Sequence, residues 1–151
     1  DTLFQKDTYL LLGKNRLKIR EQKTTSEVIF YMRANKKDSK ESHYFRFQIP
    51  KMVESFFKKM LYVSFTIKTV VIKKRILYIY KNTRIHVDEV ENLGSFLELE
   101  TVINANLPDK IFTDEHEDVK NRLELCTYTM IPSSYSDLLL NREPCNRFVK
   151  V

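Results

Sequence analysis

Glycine is nearly absent from this sequence, with two in 151 residues, and no Gly-rich loop or RNP-type RNA-binding pattern is visible. Cysteine is equally scarce. Cys126 and Cys145 are too few for a disulfide framework, and their spacing is not that of a zinc site. They read as reduced thiols of a cytoplasmic protein, with a single Cys126–Cys145 pair as the alternative. No run of 18 apolar residues is present, so no helix is expected to span a membrane, and no signal-peptide pattern opens the chain. Internal repeats and low-complexity segments are missing. His43 and His86 have no metal-ligand partner at helical or strand spacing, and His116, in an acidic segment, reads as solvated. The sequence starts at Asp1 without a methionine, which suggests a fragment, a processed form, or a chain whose first part is absent.

What is present is positive charge. Lysine and arginine number 26 against 20 acids, giving +6 and a pI near 9.2. That excess suits an anionic partner, whether a phosphorylated small molecule, nucleic acid or an acidic surface. Charge alone fits a basic protein with no such partner at least as well. A length of 151 residues is most simply one domain with a real core, taken as 1–151.

Strands dominate the pattern. Residues 3–12 (LFQKDTYLLL) read as a strand, Gly13-Lys14-Asn15 as a turn, and 16–21 as a strand alternating Arg16, Lys18 and Arg20 against Leu17 and Ile19. Three cations on one strand face repel one another unless solvent or an anion lies opposite. A solvated edge strand guarded by lysine answers the pattern equally well. Strands at 28–33, 43–49 and 65–80 follow. The first of these places Ile29, Tyr31 and Arg33 on one face, and the last places Lys73 and Arg75 on one face. Between them, 50–62 (PKMVESFFKKMLY) switches to three- and four-residue spacing, the mark of an amphipathic helix packed on the apolar side of the strands. A second helix is expected from an N-cap at Thr113 to about Leu125, with Val119, Leu123 and Cys126 inward and the acids at 114–118 solvated. A short helix at 135–141 closes the reading.

The most informative stretch is 84–100, RIHVDEVENLGSFLELE. Arg84, His86 and Asp88 alternate with Ile85 and Val87. Glu98 and Glu100 alternate with Leu97 and Leu99, and a break falls at 92–95. This is a hairpin with one charged and one apolar face. Counting all segments gives about seven strands, mostly antiparallel neighbours, with two or three helices. An α+β fold built on an antiparallel β-barrel, charged inside and with helices packed outside, accounts for the pattern. Small barrels ordinarily fill their interior with apolar side chains, so a polar interior implies a ligand.

That hairpin resembles the C-terminal hairpin of the CYTH domain, the family of class IV adenylyl cyclases and thiamine triphosphatases. Three further pieces fit in order: QKDTYLLLGKNRLKIRE at 5–21, VIKKRILYIY at 71–80 and SYSDLLL at 134–140. The family opens with a strand bearing Glu-x-Glu-x-Lys, and nothing here matches it, so the N-terminal strand is read as missing. The resemblance implies a triphosphate tunnel. Arg16, Lys18, Arg20, Arg33, Lys73, Arg75 and Arg84 would bind phosphate, with Lys73 and Arg75 the catalytic pair. Asp88, Glu98 and Glu100 would hold Mg2+ or Mn2+. Arginine forks take phosphate oxygens bidentately, lysine serves as a point charge, and the carboxylates carry the metal. The implied substrate is a triphosphate (ATP, thiamine triphosphate or tripolyphosphate), and the implied chemistry is hydrolysis or an adenylyl cyclase-like reaction. The alternatives are phosphate or nucleotide binding without chemistry, and a basic RNA-binding or scaffolding module in which aromatic residues stack bases.

Overall fold

The computed structural model describes residues 1–13, 15–32, 43–104, 106–141 and 148–150. Eight strands form one sheet: β1 (Thr2–Leu12), β2 (Asn15–Glu21), β3 (Ser26–Met32), β4 (His43–Ile49), β5 (Ile67–Tyr80), β6 (Thr83–Val90), β7 (Gly94–Thr101) and β8 (Phe148–Lys150). Their spatial order is β4-β3-β2-β1-β5-β6-β7-β8. The first seven pair antiparallel, and β8, absent from the sequence reading, pairs parallel with β7. Among the described residues β4 and β8 remain edges, so no hydrogen-bonded ladder closes the sheet into a barrel.

Short turns set the register. Two-residue connections join β1 to β2 and β5 to β6, so Leu12 lies opposite Asn15 and Tyr80 opposite Thr83. Gly13 and Lys81 adopt positive φ at these turns, and Asn92 and Gly94 do so in the β6–β7 hairpin. Because side chains alternate at a period of two, the register sorts the sheet into two faces. One carries Gln5, Asp7 and Tyr9 of β1, Arg16, Lys18 and Arg20 of β2, Lys73 and Arg75 of β5, and Asp88, Glu98 and Glu100 of the β6–β7 hairpin.

The opposite face is apolar and is covered by two helices. Helix α1 (Glu54–Ser64) follows a 3-10 turn at Lys51–Val53 and sets Leu61 and Phe57 against Leu10, Leu17 and Ile19. Its apolar stripe is broader than what it buries, since Phe56 and Val63 face solvent. Helix α2 (Asp109–Arg122) sets Val119 against Leu99, Ile85 and Leu97.

Three expectations for α2 are corrected. It starts at Asp109 behind Pro108, not at Thr113, whose hydroxyl instead donates to the Asp109 carbonyl one turn back. Leu125 and Phe112 point inward, while Leu123 and Cys126 are exposed. The acids are not uniformly solvated. Glu115 is buried and accepts from the Asn82 backbone N–H, the Asn82 amide and the Thr83 hydroxyl, which clamps the β5–β6 turn. Those bonds overcome burial, which alone would raise its pKa, and hold it below the ordinary carboxylate value. His116 is half-buried and bonds Thr101.

Helix α3 (Tyr135–Asn141) breaks the expectation that the helices lie outside the barrel. It packs on the charged face, where Tyr9, Val71, Val90 and Phe96 form an apolar patch that needs cover, and Ile131, Tyr135 and Leu138 supply it. Hydrophobic burial and charge therefore share one side of the sheet.

Candidate functional site: two buried Asp–Lys–Arg clusters

The β1–β2 hairpin places Asp7 directly opposite Arg20 and Tyr9 opposite Lys18. Arg20 donates to Asp7 through Nε and Nη2, both at 2.7 Å, and Lys18 Nζ donates to the same carboxylate at 2.8 Å. The β5–β6 hairpin repeats the arrangement, with Asp88 opposite Arg75. Arg75 donates to Asp88 through Nε and Nη2 at 2.6 Å each, and Lys73 Nζ lies 3.3 Å away. Both ammonium groups lie over aromatic rings, Lys18 over Tyr9 at 5.4 Å and Lys73 over Tyr135 at 5.2 Å. The Tyr135 hydroxyl donates to Asp88 at 2.9 Å.

Burial and charge set the protonation of these groups. Burial pushes Lys18 down to about 7 against the pull of Asp7, and the Arg20 and Lys73 cations add to that push. Burial and Arg75 bring Lys73 down to about 8. Burial alone would raise Asp7, but Lys18 and Arg20 overcome it and hold the carboxyl well below the ordinary value. Asp88 is lowered in the same way, chiefly by Arg75 against burial. Both arginines stay charged, since their carboxylate bonds outweigh burial. Burial, with the nearby Glu98 and Asp88 charges, pushes the Tyr135 phenol far up and keeps it a donor.

The other candidates are less enclosed. Arg75 continues to Glu98 Oε2 at 2.6 Å, so a single guanidinium joins Asp88 to Glu98. Arg84 reaches Glu100 at 3.3 Å, both side chains being 37% exposed. Between the two glutamates lies the buried His86 ring, 3.7 Å from Glu98 and 3.9 Å from Glu100. Arg16 stands apart from both clusters and pairs at 2.9 Å with Asp137 of α3, which also accepts from Lys68 at 2.9 Å. A cavity of about 280 Å³ opens there, lined by Tyr9, Gly13, Asn15, Arg16, Lys68 and Asp137 among others. Arg33 lies outside the described residues.

The three acids expected to hold metal do not converge. Asp88, grouped with Glu98 and Glu100 on sequence grounds, is fully buried and committed to Arg75, Lys73 and Tyr135. Among the described residues no three His, Cys, Asp or Glu side chains gather closely enough to hold an ion. Glu98 and Glu100, two residues apart on one face and 25% and 37% exposed, form a two-carboxylate pair. Such a pair would suit a hydrated Mg2+ or Mn2+, ions bound through only one or two carboxylates.

Residues that the sequence reading passed over complete the site. Asp7 is the hub of the first cluster, Tyr135 orients the second, and Asp137 holds Arg16. Asp7 had a local signal, an acid at a period-two position in a strand whose two-residue turn sets it opposite Arg20. Tyr135 and Asp137 arrive from a distant helix and had none.

An antiparallel sheet with cations gathered on one face and helices backing the other defines an α+β domain consistent with a tunnel fold. The CYTH domain family model matches residues 1–135, and the chain belongs to that family. A search of curated proteins found no match. Solved structures of similar fold include the PH1012 protein of Pyrococcus horikoshii OT3, with a TM-score of 0.69 and 24% identity over 91% of this chain and 83% of that one. A conserved hypothetical protein from Pyrococcus furiosus aligns with a TM-score of 0.71 and 20% identity over the same shares of the two chains. The PH1819 protein of Pyrococcus horikoshii OT3 gives 0.67 and 22%, over 94% of this chain and 86% of that one. At these identities the likeness concerns the fold. Among the described residues no helix is long and apolar enough to cross a membrane.

Proposed function

We propose that the charged face binds a triphosphate together with Mg2+ or Mn2+ and processes it, by hydrolysis or by an adenylyl cyclase-like reaction. The observation that carries this reading is the pair of K-x-R segments, Lys18–Arg20 and Lys73–Arg75, whose cations lie on one face with Lys18, Lys73 and Arg75 less than a tenth exposed. Asp7 and Asp88 offset part of the cost of burying four cations, and anionic phosphate oxygens would offset more of it. Family membership supports the triphosphate as ligand class, since CYTH proteins bind triphosphates and their enzymes use divalent metals.

Lys18, Arg20, Lys73 and Arg75 take the phosphoryl oxygens at the centre, with Arg16, Arg84 and, on sequence grounds, Arg33 at the periphery. Lys73 and Arg75 act as the catalytic pair, holding positive charge against the oxygens of the transferring phosphoryl group. Glu98 and Glu100 would hold the metal, which would supply positive charge to the phosphate. A nucleic-acid ligand is disfavoured because Lys18, Lys73 and Arg75 are less than a tenth exposed, whereas a polymer backbone is met by cations spread along an open surface. The expected compartment is the cytoplasm.

Thermal melting with tripolyphosphate, with and without Mg2+ or Mn2+, tests the reading. A metal-dependent rise in Tm that disappears in Glu98→Ala/Glu100→Ala supports it, because a ligand bound only to the folded state must stabilise that state. No rise at saturating ligand sinks it.

A further inference from the structure

Gln5 lies between the two clusters. It precedes Asp7 by two positions on β1, on the same face, and it stands directly opposite Lys73 of β5. The two clusters are close enough for their charges to interact across it, since Lys73 helps to depress Lys18 and Arg75 opposes the charge on Arg20. The Gln5 side chain is 4% exposed, and its Oε1 is buried with no hydrogen-bond partner among the described residues. An unpaired buried amide oxygen is expensive and uncommon. The ammonium and guanidinium groups of the two clusters are aimed at carboxylates, and none of their hydrogen bonds reaches this amide, so the position is open to a ligand. An amide with no protein partner turns by half a rotation to present its NH2 in place of its carbonyl.

We infer that Gln5 is a specificity-determining residue whose amide donates to an inner phosphoryl oxygen of a condensed phosphate spanning the two clusters. The inference rests on the triphosphate-binding reading and adds a discrimination that the cations alone do not provide. Two Lys/Arg pairs attract any phosphate. A neutral donor placed midway rewards a chain of linked phosphoryl groups whose interior oxygens lie there. Orthophosphate occupies one cluster and leaves Gln5 unmet.

Calorimetric titration of the wild type, Gln5→Leu and Gln5→Glu with tripolyphosphate and with orthophosphate, in metal-free buffer and with Mg2+, tests this. Gln5→Leu is expected to weaken tripolyphosphate about 10-fold, the worth of one hydrogen bond to a charged group, and to leave orthophosphate unchanged. Its Tm should not fall, because the amide oxygen it removes is left unmet in the ligand-free fold. Gln5→Glu, which puts a negative charge where the ligand's charge must go, is expected to weaken tripolyphosphate about 100-fold. If leucine does not fit, Gln5→Met keeps the side-chain length and repeats the comparison. Wild-type tripolyphosphate affinity in Gln5→Leu or Gln5→Met overturns the inference. So does tighter Mg2+-dependent binding in Gln5→Glu, which would make the amide an acceptor toward the ion's water. Both results leave triphosphate binding itself intact. A wild type that binds no tripolyphosphate removes both readings together.

Discussion

The two Asp–Lys–Arg clusters share a construction and differ in what surrounds them. Each is a hairpin in which a K-x-R strand faces an aspartate, and in each the arginine grips the carboxylate with Nε and Nη2. In the first, Arg20 and Lys18 converge on Asp7. The Asp88 cluster is open at its far side. Arg75 passes on to Glu98, and Tyr135 reaches in from α3 to a second donor position on Asp88. One cluster thus centres on a single acid, whereas the other belongs to a network that leads toward the more exposed Glu98 and Glu100. The difference predicts that the two clusters contribute unequally to stability, although both lie on the face proposed to meet the ligand.

The sharpest way to break that comparison is to remove each aspartate. Asp7→Ala takes from the buried Lys18 and Arg20 the carboxylate that both grip, a change that typically costs about 3–5 kcal/mol. Asp88→Ala leaves Arg75 with Glu98, so the expected loss is smaller, by roughly 1–2 kcal/mol, the scale of one retained charge-assisted bond. Urea unfolding of the two variants at neutral pH measures both. Equal losses would mean that Glu98 does not support Arg75 and that the clusters are energetically alike.

Much of this face is legible in the sequence. The alternation in RLKIR and VIKKRIL places Lys18 with Arg20 and Lys73 with Arg75. The turn read at Gly13-Lys14-Asn15 is one residue shorter in the structure, and two-residue turns fix which strand positions lie opposite. The same turns bring Asp7 and Asp88 to their arginines. What cannot be read is anything that depends on long-range packing. Tyr135 and Asp137 sit in a seven-residue helix whose periodicity says only that one side is apolar, and the charged face itself supplies the apolar patch it covers. The commitment of Asp88 is hidden for the same reason. Its spacing from Glu98 and Glu100 suggests a set of three acids, but the register gives it Arg75 across the strand before any metal can compete.

A second expected effect is on pH dependence, where the lysines separate the clusters. Lys18 is brought from the ordinary 10.5 down to about 7 in the folded chain, chiefly by burial. Between those values the unfolded chain binds the proton and the folded one does not, so stability rises with pH from about 7 to about 10. The shift is worth on the order of a few kcal/mol across that window. Lys73, lowered only to about 8, adds a smaller rise that begins later. Loss of the net +6 charge toward the pI also stabilises the fold, so the informative quantity is the difference between variants. Lys18→Met should flatten the rise more than Lys73→Met. At the acid end the slope has the same sign, because the folded chain again holds fewer protons than the unfolded one. Asp7 and Asp88 are both held below the ordinary carboxylate value, so their contribution is complete above about pH 4 and is lost as the pH falls toward their lower folded values. A profile identical in the two lysine variants would contradict the larger depression of Lys18.

The smallest expected effect is also the most selective. Tyr135→Phe removes one donor to Asp88 and keeps the ring, which packs on Phe96 at 4.9 Å and lies under Lys73. A hydrogen bond to a charged group is worth about 1.5 kcal/mol at the low end, and that is the loss expected at neutral pH. A packing role alone would leave stability unchanged, because the phenyl ring fills the same space. The bond can be assigned by cycles. In an Asp88→Asn background the cost of Tyr135→Phe should shrink, since an amide oxygen is the weaker acceptor. In an Asp7→Asn background it should stay the same within about 0.5 kcal/mol, as for separated sites. Coupling to Asp88 alone would show that α3 is tied to the cluster leading to the exposed glutamates, and that the Asp7 cluster stands without it. Equal coupling to both aspartates would show instead that the charged face responds as one unit, with the Lys18–Lys73 repulsion carrying the effect between hairpins.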